Sequence, residues 1–283
     1  MNEKKYAKIY IVFVLLITWS VTGILFINPS IGIKFFSLIM YIPGILALII
    51  NIFQYKDKRK LYECFTKRIS KRAMLFGILY PLIFIIICAI IACIIGLGQF
   101  NDKAFIEGMG KLTDGKVLIK RDVIVFIIAT IFTLPNVLGE EYGWRGYLLP
   151  KLTQIYGKTN ATIISGIVWG LFHVPAVFLL AQTTGMSNPL LLCIIQALAA
   201  FTFSFPCSYC FYLSRNIVPV LFIHSVWNSI NMMLLGDIYK NNHGIIKGNL
   251  ITINGEGILG VIIGMIILLW FIRRFNKNDT VEF

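Results

Sequence analysis

Gly139-Glu140-Glu141-Tyr142-Gly143-Trp144-Arg145-Gly146-Tyr147-Leu148-Leu149-Pro150 closes a long apolar run that begins at Val123. Two adjacent carboxylates are costly there. A charged side chain well inside a bilayer-spanning helix costs at least about 2.5 kcal/mol by insertion scales, so such residues face a protein interior or a wet cavity. On a helix Glu141 and Arg145 share a face and can pair, whereas Glu140, five before Arg145, points elsewhere. The pairing neutralises Glu141 and leaves Glu140 as the uncommitted carboxylate. The plainer alternative is that the doublet marks the end of a span.

The surrounding composition supports the membrane setting. The chain has 283 residues, 58% hydrophobic and only 14% charged, with a formal net charge of +13; soluble domains are nearer a quarter charged. Most Lys and Arg lie in short segments between apolar runs, which is the positive-inside pattern and argues against a nucleic-acid partner. No polar segment is long enough for a soluble domain. Five of the six cysteines, all but Cys64, sit in apolar runs, which is no disulfide framework. Cys207-x-x-Cys210 has no second pair and no nearby His, so it reads as small apolar core.

Working outward gives an all-α polytopic bundle of about eight transmembrane helices in a single domain, 1–283, with the motif-bearing core at about 123–235. The expected spans are Ile9–Ile27, Ile33–Phe53, Met74–Leu97, Val123 to about Leu149, Tyr156–Leu180, Leu190–Leu213, Ile217–Leu235 and the short Ile258–Ile272. The first is read as an uncleaved span, because it is too long for a signal-peptide core and no Ala-x-Ala site follows. Of the 26 Lys and Arg, 18 fall on the side of the termini and 8 on the other. That asymmetry places both termini in the cytoplasm, with the active site expected toward the cytoplasmic side. No internal repeat suggests an inverted-repeat transporter.

Three histidines are present. His243 lies in a polar loop and reads as solvated. His173 lies in Trp169-Gly170-Leu171-Phe172-His173, followed by Pro175. His224 lies in Phe222-Ile223-His224-Ser225-Val226-Trp227-Asn228, with Asn228 four later on the same face. Polar groups in lipid must find partners, and the simplest arrangement gathers Glu140, His173, His224 and Asn228 around one cavity. Pro135 and Pro175 free the carbonyls of Ile131 and Leu171, which is tolerated where backbone is buried in protein or lines water. Depth is the difficulty. At 1.5 Å per residue His224 is about 10 Å from residue 217, and His173 roughly 25 Å from Tyr156. They meet only if the fifth helix starts well outside the bilayer or lies tilted.

Peptide hydrolysis needs an activated water, an acid for the leaving amine and donors for the oxyanion. The inventory supplies Glu140 as base, His173 to hold and polarise the water, and His224 with Asn228 as donors; Glu141 and Arg145 fix the fourth helix. No cofactor is required. Zinc is the alternative, since Glu140, His173 and His224 make three ligands with an open position. No His-Glu-x-x-His is present, however, and ligation would consume the base.

Glu140-Glu141-x-x-x-Arg145, then Trp169-x-x-x-His173, then His224-x-x-x-Asn228, each in a separate span, resembles the CAAX protease and bacteriocin-processing family, the type II CAAX prenyl endopeptidases also called Abi proteins. The motifs cover roughly residues 136–230. The resemblance implies intramembrane endoproteolysis by a glutamate-activated water without metal, although family members were long described as metalloproteases. The competing classes are a non-catalytic membrane protein conferring immunity to a bacteriocin, and a transporter or channel with an acidic gate. Complete motifs favour the protease. A transporter wants polar residues along its whole path, and here they cluster near one side. Heavy use of Ile, Lys, Phe and Asn points to an AT-rich genome and hence to a bacterial cell membrane. The expected partners are membrane lipid and a membrane-associated peptide or protein: a peptide pheromone, a bacteriocin leader or a membrane-anchored protein in preference to a prenylated CAAX tail.

Overall fold

The computed structural model describes residues 3–100, 115–186 and 188–275. The backbone is helical almost throughout: α1 Glu3–Leu25, α2 Pro29–Phe35, a 3-10 segment Phe36–Tyr41 running into α3 Ile42–Gln54, α4 Glu63–Thr66 and α5 Lys71–Ile94. Then come α6 Gly115–Glu141, a π-helical segment Tyr142–Leu148, α7 Leu149–Thr183, α8 Pro189–Tyr212, α9 Val218–Leu234, α10 Leu250–Ile253 and α11 Ile258–Phe275. Two short strands, β1 Gly98–Phe100 and β2 Ile246–Gly248, pair antiparallel. The sequence reading has no strands, because three-residue pairings carry no hydrophobic period.

Among the described residues six stretches are long and apolar enough to cross a membrane, and one of them, Arg121–Thr183, runs for 63 residues. At 1.5 Å per residue it measures about 95 Å, far more than one crossing needs. It breaks at Gly157, whose φ of 74° and ψ of 166° are non-helical; only glycine adopts such a φ without strain. Across this break the residues pair antiparallel. Arg145 lies over the Trp169 ring, the rings of Trp144 and Phe172 meet edge to face, and Trp169 donates to Glu140. The stretch is thus two crossings, and with the shorter apolar helix α9 the eight expected helices are present. Large apolar side chains face outward along the bundle, with Phe132 77% exposed, as a lipid-facing surface requires.

The connections sort to two ends. At one, Glu3 accepts from Gln54, Tyr55 and Lys151, Ile217 N donates to Cys64 O, and Asn216 donates to Phe65 O and Lys67 O. At the other, β1 pairs with β2, and Asn254 donates to Gly236 O. This is the alternation that eight crossings produce, and the strongly basic 56–72 segment marks one end.

Glycines let α3 reach α6 and the π segment. A Cβ on Gly143 would lie 2.6 Å from Pro43, and one on Gly139 would lie 2.9 Å from Met40 O. Such close backbone approach is how helices pack in lipid. His224 rides on α9, which packs against α5, α6 and α8. All six cysteines are free, and Cys207 and Cys210 are buried in the core.

Topology reporters should separate the two ends: a fusion after Lys58 and one between Lys240 and His243 are expected on opposite sides of the membrane, the first cytoplasmic. Equal signals from both would overturn the two-ended arrangement. The connection at 103–116, expected on the non-cytoplasmic side, lies mostly outside the described residues.

Candidate active site

The two glutamates part company at the junction of α6 and the π segment. Both are buried, Glu140 at 2% exposure and Glu141 at 0%. Glu141 accepts from Arg145 Nη1 at 2.8 and 3.0 Å, and Arg145 is itself fully buried. The pairing expected from i,i+4 spacing is therefore present, and it has a third member. His224 Nδ1 lies 2.8 Å from Glu141 Oε1. Glu141 thus does more than brace its own helix; it fixes the imidazole on α9 and leaves Nε2 for the cavity. A carboxylate holding one ring nitrogen to aim the other is how such imidazoles are oriented.

Glu140 turns the other way. Its Oε2 accepts from Trp169 Nε1 at 2.8 Å. The same indole lies under the Arg145 guanidinium, 4.3 Å from the ring centroid, a cation–π contact. Arg145 therefore touches both glutamates, one directly and one through Trp169. Sequence reasoning placed Trp169 in the motif without a role, and its indole N–H is the donor that orients the carboxylate. His173 Nδ1 sits 2.8 Å from Trp169 O, one turn back on its own helix, which again leaves Nε2 outward.

Glu140, His173, His224 and Asn228 line one cavity of about 250 Å³ together with Trp169, Phe203 and Trp227. The structure thus brings together all four residues expected there, and places Glu141 and Arg145 behind its wall. The depth problem resolves at Gly157. Glu140 and His173 lie at nearly equal distances on either side of that turn, each about 25 Å away at 1.5 Å per residue. Gly146 lies beside Ile217, which sets Glu140 and His224 both about 10 Å above that level. The hairpin projects beyond the foot of α9, which brings His173 level with Glu140 and His224 along the bundle. The α6 reading differed because hydropathy ends near Leu149 whereas the helix continues to the first residue able to turn.

The cavity has a second polar region that the sequence reading missed. Gln196, Asn231, Asp237, Tyr239 and Glu256 line it away from the basic end, so polar groups are not confined to one side. Tyr239 donates to Gln196 Oε1 at 2.7 Å, and Trp227 Nε1 to Glu256 Oε1 at 3.1 Å. Burial, then the neighbouring Glu256 carboxylate, pushes the Tyr239 phenol well above its usual range, so it stays a donor. The available signal was a lone glutamate between two glycines just before the last apolar run. His243 is exposed in its loop, as expected.

Among the described residues no group of three or more His, Cys, Asp or Glu comes together in a way that could hold a metal ion.

Within a polytopic helical bundle, a carboxylate, two aimed imidazoles and a carboxamide thus surround one cavity, the side-chain types that acid–base chemistry uses. Residues 121–230 match the family described as type II CAAX prenyl endopeptidase Rce1-like. A curated relative, CAAX prenyl protease 2 of Methanococcus maripaludis, is 28% identical over 149 residues, 50% of this chain and 51% of that protein. Residues 121–230 are thus similar to this family, in agreement with the resemblance drawn from the three motifs. The chain spans about half the length of the curated relative it matches.

The coupling among Glu141, Arg145 and His224 is measurable. Removing one partner of a buried ion pair costs about 3–5 kcal/mol. Glu141→Gln and Arg145→Met are each expected to lower denaturation stability on that scale, and the double variant to lose less than the two losses added. Strict additivity would show that the pair is not an interacting unit.

Proposed function

We propose that the protein is an intramembrane endopeptidase that hydrolyses a peptide bond in a membrane-associated peptide or protein, with Glu140 as the general base. The observation that carries this reading is the convergence of Glu140, His173, His224 and Asn228 on one cavity, behind which Glu141 and Arg145 are fully buried.

The residues divide the work as follows. Trp169 occupies Glu140 Oε2, so Oε1 is left for a water. His173, with Nδ1 engaged by Trp169 O, offers Nε2 as acceptor to the second proton of that water. Glu140 takes one proton as the water oxygen attacks the carbonyl carbon. The oxyanion accepts hydrogen bonds from Asn228 and from Nε2–H of His224 in its imidazolium form, whose charge the Glu141 carboxylate balances across Nδ1. Glu140 then returns its proton to the amide nitrogen as the C–N bond breaks, which gives a carboxylic acid and an amine. Donors aimed at a developing charge in a water-poor site contribute most of such rate enhancements. No step passes through a metal.

The distribution of basic residues supports cytoplasmic termini in a bacterial cell membrane. In that orientation the site lies near the cytoplasmic end by its distance along α9, while the cavity extends toward the opposite face. The substrates this reading favours are peptide pheromones, bacteriocin leaders or other membrane-anchored chains; a CAAX tail is the chemistry named for the archaeal relative. Membrane lipid surrounds the site, and nucleic acid has no part.

The test is cleavage of a quenched membrane-associated peptide by protein in liposomes. Glu140→Gln preserves shape and removes the base, so turnover should vanish while thermal stability holds. His224→Ala and Asn228→Ala should each lower kcat by about 10²–10³-fold with a smaller change in KM. Parental turnover by Glu140→Gln would remove the assignment of the base. Protein stripped with a strong chelator is expected to keep its activity; loss followed by recovery on stoichiometric zinc would replace this mechanism with a metal-dependent one.

A further inference from the structure

The cavity wall is acidic in a basic protein. Its lining includes Glu140, Asp237 and Glu256 and, among the described residues, no Lys or Arg, although the whole chain carries a formal charge of +13. Two of the three carboxylates are engaged. Glu140 accepts from Trp169, while Asp237 accepts from the backbone of Tyr239 and Lys240 and pairs with the Lys240 ammonium. Glu256 differs. One oxygen accepts from Trp227, and the other, Oε2, is shielded from solvent and has no hydrogen-bond partner among the described residues. The Tyr239 phenol lies close enough to interact with Glu256, but its single proton goes to Gln196 Oε1 at 2.7 Å.

Glu256 is held firmly. Its carbonyl accepts from Gln196 Nε2 at 2.9 Å, and its backbone N–H donates to Asn254 Oδ1 at 2.9 Å. Asn231 on α9 donates to the same Asn254 oxygen and accepts from Gly255 N. Beside the carboxylate Trp227 stacks on Phe203 at 4.2 Å, and Phe203 meets the His224 ring. An aromatic wall therefore runs from the imidazole to Glu256.

A shielded carboxylate oxygen without a donor is unfavourable until a ligand supplies one. An ammonium or guanidinium does so with a charge-assisted bond, and aromatic faces favour the same cation. A terminal carboxylate, by contrast, meets only like charge here. We propose that Glu256 is a specificity-determining residue that binds a cationic nitrogen of the substrate, a Lys or Arg side chain or a free amino terminus, at the far end of the cavity from Glu140. The proposal rests on the protease reading only in taking the Glu140 end as the place of the scissile bond.

Binding can be read without cleavage. The Glu140→Gln protein in detergent is titrated with fluorescent peptides of one apolar sequence, three of them N-acetylated and carrying Lys, norleucine or Glu at one position, and a fourth with norleucine and a free amino terminus. The Lys peptide, the free-terminus peptide or both should bind about tenfold or more tighter than acetylated norleucine, the size of one charge-assisted hydrogen bond; the stronger of the two identifies the source of the cation. Adding Glu256→Gln, which keeps an acceptor for Trp227, should bring that ratio close to one, with a melting curve showing that the variant is folded. Tightest binding of the Glu peptide, a preference for cations that survives Glu256→Gln, or no binding by any of the four overturns the proposal. Cleavage of the same peptides by the parent separates the two readings. Charge-selective binding without cleavage defeats the protease and leaves this site, whereas cleavage with no charge preference does the reverse.

Discussion

The carboxylate of Glu141 is the constraint on which the rest of the site depends. It is fully buried and held from both sides, by Arg145 one turn along its own segment and by His224 on α9. A charge in such a place is tolerable only when paired and hydrogen-bonded, so the helices that supply its partners cannot drift apart without stranding it. The Arg145 guanidinium carries the constraint onward to Trp169, whose indole fixes Glu140. Three helical elements are thereby registered by Glu141, Arg145 and Trp169, and the groups that face the cavity inherit their positions.

The π segment that follows the two glutamates fits this account. Tyr142–Leu148 is wound wider than an α-helix, a local distortion that often accompanies functional positions. It occurs where α3 presses its backbone onto Gly139 and Gly143, and where Trp144, Arg145, Tyr147 and Leu148 must all be buried together. The neighbourhood leaves no room for side chains at the two glycines, so helix 2 of the eight is fitted to helix 4 by the absence of atoms as much as by contacts.

Much of this was legible in the amino-acid sequence. Charged and imidazole side chains in apolar runs have few ways to be satisfied in lipid, so Glu140, His173, His224 and Asn228 had to be close, and i,i+4 spacing paired Glu141 with Arg145. The third partner of Glu141 was not legible, because the contact joins residues 83 positions apart and no local period encodes it. The level of His173 was not legible either: hydropathy reports where a span becomes apolar, whereas the turn at Gly157 is set by backbone conformation beyond it. Glu256 was overlooked for a similar reason, since it stands outside every apolar run and enters the cavity only through the Asn231–Asn254 bracing of its turn.

Pro175 leaves the carbonyl of Leu171 without its helical donor, and the indole of Trp19 on α1 takes that place at 3.1 Å. His173 lies between these two positions. The first helix, outside the stretch that matches the family, therefore acts as a splint across the Pro175 joint of α7. Stiffness at that joint comes from the side of the bundle that faces lipid, since Trp19 is itself largely exposed. A change in the lipid packed against α1 consequently has a short mechanical route to the His173 imidazole.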